Sequence, residues 1–183
     1  MSIDRRRIIL VETSNFDTLF LDRDGVINKK LEGKYVRNWE EFEFIPNVLS
    51  SISKLSNLFN RIIIITNQQG IGKGIMSEND LIILHQTMIE KIEKVDGKIN
   101  KIYFCPHLET DYCNCRKPKI GMIEQFRLDY PDIKGNELMV GDRLSDLECA
   151  SRAGITFINR KRHYNKSKNE LTGLTINNFW GLI

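Results

Sequence analysis

The sequence lacks the features that mark membrane-spanning, secreted and disulfide-stapled proteins. None of its apolar runs approaches the roughly 20 residues that are needed to span a bilayer. The run IILV at 8–11 is too short for the apolar core of a signal peptide. We therefore expect a cytoplasmic protein without a membrane partner, in a compartment where structural disulfides are rare.

The sequence also lacks a large charge excess, internal repeats and low-complexity linkers. Its formal net charge is only +3, which does not by itself indicate a nucleic-acid partner. The length of 183 residues predicts a single domain over 1–183. With 41% hydrophobic residues the chain can form a core that does not need disulfides or metals for its stability. We expect this domain to be a monomer.

What the sequence does contain is a regular alternation of apolar runs and helical patterns. Strands are predicted at 18–22, 61–66, 101–104, 137–142 and 155–158, and helices at 46–59, 77–95, 121–130 and 145–154. The alternation predicts an α/β fold, namely a Rossmann-like, doubly wound and mainly parallel sheet with helices on both faces. Such sheets bind ligands beyond the carboxyl ends of their strands, so the polar residues found there form the candidate site.

Polar side chains follow the predicted strands, and the set comprises Asp22, Asp24, Thr66, Lys117 and Asp142. Because alternate residues of an extended segment share a face, Asp22 and Asp24 are expected to point into the crevice and Arg23 away from it. The set suits phosphoryl transfer. Asp22 can attack phosphorus and form an aspartyl-phosphate, while Asp24 can protonate the leaving oxygen and later activate water.

An attacking carboxylate and a phosphate repel each other unless a cation lies between them. Mg²⁺ prefers oxygen ligands, which Asp22, the backbone carbonyl of Asp24 and Asp142 can provide. Thr66 and Lys117 can receive the charge that develops on the transferring group. We expect the nearby Asp146 to support the metal ligand or to cap the helix that follows.

Three of the four cysteines and one of the three histidines form the pattern C-x-H-x5-C-x-C, within residues 105–115, which we call the zinc loop. Cys105, His107, Cys113 and Cys115 match the ligand set of a tetrahedral structural zinc site. The loop has no C-x-x-C pair, which argues against a redox motif. Cys113 and Cys115 are awkwardly close for a mutual disulfide, so free thiols are the remaining alternative.

The segments FLDRDGVIN, TNQQG, RKPK and VGDRLSD resemble, in this order, the four motifs of the haloacid dehalogenase-like phosphohydrolase superfamily. The resemblance spans roughly residues 16–160. It implies a nucleophile at Asp22 and an acid/base at Asp24, as in the phosphatases of the superfamily. It further implies phosphate stabilisation by Thr66 and Lys117 and Mg²⁺ binding by Asp142. The predicted elements between these motifs leave no room for a large cap domain.

The zinc loop narrows the resemblance to a zinc-bearing branch that contains heptose 1,7-bisphosphate 7-phosphatases and histidinol-phosphate phosphatases. FEFIPNV and KPKIGM look more like the heptose enzymes, whereas the short spacer between His107 and Cys113 is closer to the histidinol-phosphate enzymes. Either substrate is a small anionic phosphomonoester. The residues expected to contact it are Asn67, Gln68, Lys73, Arg116 and Arg143.

Other functions are less well supported by the sequence. The zinc loop and the basic run at 159–169 would suit a nucleic-acid-binding zinc module, but no basic recognition helix adjoins the loop. A polynucleotide 3′-phosphatase would share the chemistry, and the intact motifs argue against an inactive signalling domain. We expect His85 and Cys149 to be structural, the basic run to be a solvated loop, and residues 1–12 to form an edge strand or a loose arm.

Overall fold

Six strands form one parallel sheet in the computed structural model, which describes residues 16–133, 135–160, 174–176 and 180. The strands are β1 (Phe16–Leu21), β2 (Arg61–Asn67), β3 (Lys101–Cys105), β4 (Asn136–Gly141), β5 (Thr156–Arg160) and β6 (Leu174–Ile176). Their order is β3-β2-β1-β4-β5-β6, and every neighbouring pair is parallel. This confirms the predicted doubly wound sheet and its first five strands, while the short β6 was not predicted.

Four α-helices connect the strands, and they are α1 (Val48–Leu55), α2 (Glu78–Glu93), α3 (Gly121–Asp129) and α4 (Leu144–Ala153). The start of α2 confirms the predicted cap, because Ser77 Oγ accepts from the Asp80 amide at 3.1 Å and Asp80 accepts from the Ser77 amide at 2.9 Å. Helix α1 is shorter than predicted. It starts only after Asn47, whose backbone is left-handed at a φ of 68°, and its last residue is followed by tight turns.

The two faces of the sheet carry two helices each. Alternate residues of each central strand point to opposite faces, so Ile62 and Ile64 pack with α1 and α2, whereas Ile63 and Ile65 pack with α3 and α4. All four isoleucines are buried, as expected for a central parallel strand. Cys149 lies in the second of these layers with 1% exposure, in agreement with its predicted structural role.

The strand order changes direction beside β1, which pairs with β2 on one side and with β4 on the other. The crevice beyond the carboxyl ends of β1 and β4 is therefore the expected ligand site of this topology. The connections from β1 to β2 and from β2 to β3 each contain a single α-helix that packs on the sheet, in line with the absence of a large cap.

Two predictions fall on parts of the chain outside the described residues. The edge strand or arm at 1–12 lies there entirely, and so does the basic run at 159–169 apart from its first two residues. Within the described part of the chain, no helix combines the length and the apolar character required to traverse a bilayer.

Candidate active site

Asp22 directly follows β1 at the point where the strand order changes direction. Its backbone amide donates to the carbonyl of Val140 in β4 at 3.1 Å, so the residue is held between two strands. Its Oδ1 accepts from the Lys117 ammonium at 3.0 Å and from the Arg23 amide at 2.8 Å. Burial raises the pKa of Asp22; the Lys117 charge opposes the rise, whereas Asp146 adds to it. The predicted nucleophile is thus a buried carboxylate whose charged form is stabilised by a neighbouring cation.

Lys117 is 3% exposed, and its ammonium group contacts three oxygens. These are Oδ1 of Asp22 at 3.0 Å, Oδ1 of Asp146 at 2.7 Å and the carbonyl of Ile65 at 2.8 Å. Burial acts to lower the pKa of Lys117, but the charges of Asp146 and Asp22 outweigh it and raise the pKa above its ordinary value. Lys117 is therefore a permanently charged cation beside the predicted nucleophile.

Asp142 and Asp146 lie at the start of α4 and have different surroundings. Asp146 Oδ2 accepts from the amides of Asp142 and Arg143 at 3.1 Å each, which caps the helix, while its Oδ1 contacts Lys117. A Cβ atom on Gly141 would lie only 2.4 Å from the Asp146 Cβ, so this turn requires glycine. Both oxygens of Asp146 thus have partners within the protein, and Asp142 stays the predicted metal ligand.

Four carboxylates form what we call the aspartate cluster, and they are Asp22, Asp24, Asp142 and Asp146. Oxygens of Asp22, Asp142 and Asp146 lie within 4.8 Å of one another, close enough to surround one cation. Among the residues that the structure describes, the buried cations Arg23 and Lys117 pair with members of the cluster. The structure thus brings the predicted nucleophile and the predicted carboxylate ligand together.

Asp24 is held by three side chains. Its oxygens accept from Arg23 Nη2 at 3.0 and 2.9 Å, from Asn28 Nδ2 at 3.0 Å and from Gln68 Nε2 at 2.8 Å. Burial acts to raise the pKa of Asp24, but the Arg23 charge and these hydrogen bonds lower it below the usual range. The expected alternation of side chains ends here, because β1 stops at Leu21 and the chain turns. Arg23 therefore reaches Asp24 instead of pointing away from it.

Thr66 and Asn67 are the last residues of β2 and Gln68 follows it, and their polar groups contact other parts of the site. Gln68 Nε2 donates to Thr66 Oγ1 at 2.8 Å as well as to Asp24. The Asn67 amide group forms two hydrogen bonds of 3.0 Å with the backbone of Lys117 and thereby fixes the position of that lysine. The amide groups of Asn67 and Gln68 thus position candidate catalytic residues, and the prediction that the two residues contact substrate stays a prediction.

A cleft of about 450 Å³ extends from Lys117 towards the zinc loop, and its lining includes Asn67, Arg116 and Arg143. Arg116 also donates to the carbonyl of His107 at 3.5 Å, which links its position to the loop. Lys73, the other cation expected to contact substrate, lies instead with its ammonium 5.4 Å from the centre of the Tyr35 ring. Of the predicted substrate-binding cations, Arg116 and Arg143 thus share one cleft with Lys117.

The zinc loop brings its four predicted ligands together. Cys113 Sγ lies 3.6 Å from Cys105 Sγ and 3.5 Å from Cys115 Sγ, and His107 Nδ1 lies 3.2 Å from Cys115 Sγ. These distances exclude disulfides, whose sulfurs lie about 2.05 Å apart, and all four cysteines of the chain are free. The four donor atoms lie within 4.8 Å of one another.

Sequence reasoning missed three features of the site. Asn28 binds Asp24, Arg23 is fully buried, and Lys119 closes the zinc loop by donating to the carbonyls of Tyr112 and Cys113 at 2.7 Å each. An arginine between two site aspartates was a usable signal, since a cation there can pair with either one. The partners of Lys119 are backbone carbonyls and leave no signal in the sequence.

Comparisons with known proteins agree with this geometry. The model of the family described as polynucleotide kinase 3 phosphatase matches residues 17–170. A D-glycero-alpha-D-manno-heptose-1,7-bisphosphate 7-phosphatase from Mycobacterium bovis is 41% identical over 133 residues, which cover 72% of this chain and 70% of that protein. The enzyme of the same name from Campylobacter jejuni is 41% identical over 137 residues, which cover 75% and 77% of the two chains.

A solved structure gives the same result at the level of the fold. The crystal structure of a D,D-heptose 1,7-bisphosphate phosphatase from B. bronchiseptica, complexed with magnesium and phosphate, has a TM-score of 0.79 and 26% sequence identity. The similarity covers 88% of this chain and 92% of that structure.

Fold and site together define a phosphatase of the haloacid dehalogenase-like superfamily, as the resemblance of the four motifs implied. The matched region of the family model spans well over half of the sequence, and the chain therefore belongs to the family described as polynucleotide kinase 3 phosphatase.

Proposed function

We propose that this protein is a Mg²⁺-dependent phosphomonoester hydrolase that removes the 7-phosphate of D-glycero-D-manno-heptose 1,7-bisphosphate. The observation that carries the choice of substrate is the 41% identity to two enzymes named for this reaction, over more than 70% of the chain. The aspartate cluster supports the chemistry, because a carboxylate, an acid/base candidate and a buried lysine meet at one crevice.

The reaction begins with attack of Asp22 on phosphorus. The two neighbours of its carboxylate described above, the Lys117 ammonium and the Arg23 amide, both bind Oδ1, so Oδ2 is the attacking oxygen. The bond between phosphorus and the sugar oxygen breaks, and that oxygen takes a proton from Asp24. Asp24 then accepts a proton from water, and the hydroxide attacks phosphorus and releases phosphate and Asp22. Thr66 and Lys117 stabilise the charge on the phosphoryl oxygens.

The residues present fit a magnesium ion. Asp22 and Asp142 offer carboxylate oxygens, and the backbone carbonyl of Asp24 can complete the protein ligands, all of the oxygen type that Mg²⁺ prefers. The aspartate cluster brings four carboxylates together, and the phosphate of the substrate adds further negative charge. A divalent cation bound there would add positive charge and screen the nucleophile from the phosphate.

The zinc loop likewise fits a zinc ion. A tetrahedron with zinc–sulfur bonds of about 2.3 Å has edges of about 3.8 Å, and its edges to a nitrogen ligand are slightly shorter. The observed separations of 3.5 and 3.6 Å between sulfurs, and of 3.2 and 3.6 Å between sulfur and nitrogen, are close to these values. We propose that this ion is structural and that it holds Arg116 at the cleft, where Arg116 and Arg143 bind the sugar phosphate.

A phosphate-release assay tests the proposed function. Purified protein with Mg²⁺ is given both anomers of the heptose 1,7-bisphosphate, histidinol phosphate and an oligonucleotide with a 3′-phosphate. We expect the highest kcat/KM for a heptose bisphosphate, with one phosphate released per sugar from carbon 7. Faster release from histidinol phosphate would contradict the proposed substrate but not the proposed chemistry.

A polynucleotide 3′-phosphatase is the second candidate, because the matched family carries that description. The oligonucleotide arm of the assay addresses it directly. Preference for the oligonucleotide, together with a steep loss of rate as salt rises, would favour this candidate over the sugar phosphate, because phosphate-backbone contacts weaken with salt.

A further inference from the structure

Arg23 carries a fully buried charge next to the site, and its side chain is 0% exposed. Its guanidinium lies between the aspartate cluster and helix α2. Nη2 donates to both oxygens of Asp24 at 3.0 and 2.9 Å and contacts Gln68 Oε1 at 3.2 Å. Nη1 lies 3.0 Å from Nε2 of His85, a residue of α2 that is 6% exposed. Arg23 thus links Asp24 to a histidine that is remote in sequence.

Donor chemistry determines the state of His85. A guanidinium has donors and no acceptor, so the ring nitrogen that faces Arg23 has to accept the hydrogen bond. His85 is therefore neutral, with its proton on Nδ1. Burial and the neighbouring Arg23 charge lower the pKa of His85 to about 3, which agrees with a neutral ring.

The same reasoning fixes the orientation of Gln68. Its Oε1 accepts from Arg23, so its Nε2 is the atom that donates to Asp24 Oδ2 and to Thr66 Oγ1, each at 2.8 Å. Asp24 is thereby held two hydrogen bonds away from Thr66, at the edge of the phosphoryl site. The Asp24 side chain is still 22% exposed, so it can be reached from the crevice.

We propose that Arg23 and His85 are positioning residues for the acid/base Asp24: His85 holds Arg23, and Arg23 holds the Asp24 carboxylate beside Thr66. The inference rests on the proposed role of Asp24. A purely structural role would not require a charged group, because a buried ion pair can often be replaced by apolar residues without loss of stability. The arrangement instead orients two oxygens of one side chain, which acid/base catalysis requires.

Two substrates with different leaving groups distinguish a positioning role of Arg23 and His85 from a purely structural role. An alkyl phosphate needs a proton on its leaving oxygen, whereas p-nitrophenyl phosphate releases a stable anion and depends little on a general acid. All substrates proposed above are alkyl phosphates, so the alkyl arm uses the heptose bisphosphate or whichever of them the wild-type protein hydrolyses fastest. The variants are His85→Phe, which removes the acceptor, and His85→Gln, which retains an acceptor near the position of Nε2.

We expect His85→Phe to lower kcat/KM for the alkyl phosphate about tenfold more than kcat/KM for p-nitrophenyl phosphate, since general acid catalysis contributes about 10²- to 10⁴-fold. The ratio kcat/KM is the quantity to compare, because it includes release of the leaving group but not the later hydrolysis of the aspartyl-phosphate, which both substrates share. His85→Gln should restore most of the alkyl rate. Arg23→Met should show the same selectivity with a larger loss. Thermal unfolding of each variant identifies those that fold, and His85→Phe carries the test if Arg23→Met does not fold.

Asp24→Asn separates failure of this inference from failure of the proposed function. If Asp24→Asn lowers kcat/KM equally for both substrates, Asp24 is not the general acid, and the inference is overturned together with that role. If Asp24→Asn lowers kcat/KM more for the alkyl phosphate but folded His85→Phe lowers both values equally or neither, the role of Asp24 stands and only the positioning role is overturned. The inference is supported if Asp24→Asn and His85→Phe both lose more activity towards the alkyl phosphate than towards p-nitrophenyl phosphate, and if His85→Gln retains most of the alkyl activity.

Discussion

The aspartate cluster and the zinc loop lie on either side of Lys117, and the chain builds them in different ways. The aspartate cluster comes from the carboxyl ends of β1 and β4, which are more than 100 residues apart in sequence, and it is largely buried. The zinc loop takes its four donor atoms from one segment of eleven residues, and its His107 is exposed. The strand order of the sheet brings the aspartates together, whereas the spacing of the donors along the sequence brings the zinc-loop ligands together.

The two clusters therefore differ in what holds their side chains in position. The parallel sheet positions the carboxylates with or without a ligand, so a substitution there should change the chemistry more than the fold. The zinc loop is a short segment whose only helical structure is one 3-10 turn, Glu109–Asp111, so we expect it to depend on its metal for shape. Removal of zinc should therefore change the loop and the residues that follow it more than the reacting atoms.

Asp22→Asn should produce the largest effect on activity. The amide cannot form the aspartyl-phosphate, so we expect kcat to fall by about 10⁴-fold or more. The melting temperature should stay close to that of the wild-type protein, because Lys117 keeps its contacts with Asp146 and Ile65. Phosphate release and thermal unfolding measure the two quantities.

Asp17→Asn is the matched control for that variant. Asp17 lies on the same strand but at its amino end, where it pairs with Arg61 at 3.0 Å on the protein surface. We expect full activity and a loss of at most about 1 kcal/mol in the free energy of unfolding. Near-normal turnover by Asp22→Asn would contradict the nucleophile assignment.

Lys117→Met should affect both activity and stability. It leaves Asp22 and Asp146 buried without their shared cation, which we expect to cost about 3–5 kcal/mol of stability. The loss of a charge donor at the phosphoryl group should lower kcat by about 10²- to 10³-fold. Chemical denaturation and phosphate release measure these losses.

The double variant Lys117→Met/Asp146→Asn separates the two contributions. Asparagine can still cap α4 through its side-chain oxygen, and one uncompensated charge is removed. We expect it to recover part of the stability and none of the activity. Recovery of turnover in the double variant would show that Lys117 acts only by neutralising Asp146.

The sequence predicted much of the fold and most of the site, for identifiable reasons. The β-branched run at 61–66 and the Ser77 cap are local signals, and the structure agrees with both. The C-x-H-x5-C-x-C spacing is likewise local and placed the four donors correctly. The motifs after β1 and β4 led to Asp22 and Asp142 because parallel strands bring their carboxyl ends to one edge.

What the sequence did not predict depends on distant contacts. The burial of Arg23 requires His85 on a helix that begins more than 50 residues later, and no local pattern links the two. The position of Asn67 and Gln68 after a predicted strand did not indicate that their amides bind Lys117, Asp24 and Thr66. The predicted pattern gives the position of a polar residue, while the direction of its side chain depends on neighbours from other strands.

Removal of a zinc ligand should have a moderate effect on activity. Cys113→Ser should lose stoichiometric zinc and lower kcat/KM by about tenfold, mostly through KM, because Arg116 follows the loop directly. Cys149→Ala is the control, since that thiol lies in the core and is not one of the four clustered donors. Metal analysis and steady-state kinetics in excess Mg²⁺ test this, and full zinc content in Cys113→Ser would contradict the ligand assignment.

The smallest expected effect is on the free energy of unfolding at mildly acidic pH. It depends on His85, the buried histidine that contacts Arg23 beside the aspartate cluster. The pKa of His85 is about 3 in the folded protein, below its ordinary value of about 6.5. The unfolded chain therefore binds a proton as pH falls below about 6.5, and the folded protein does not until about pH 3. The stabilisation is fully present above this window and is lost as pH falls through it.

Between pH 7 and 5.5 this linkage should cost the wild-type protein about 1 kcal/mol of stability. His85→Gln lacks the titrating ring, so its stability should fall by about 1 kcal/mol less over the same interval. The raised pKa of Asp22 acts in the opposite direction, but it is present in both proteins and cancels in the comparison. Denaturation curves at the two pH values provide the test. An identical pH dependence of both proteins would mean that His85 takes up a proton in the folded state, and the neutral acceptor assigned to it would be wrong.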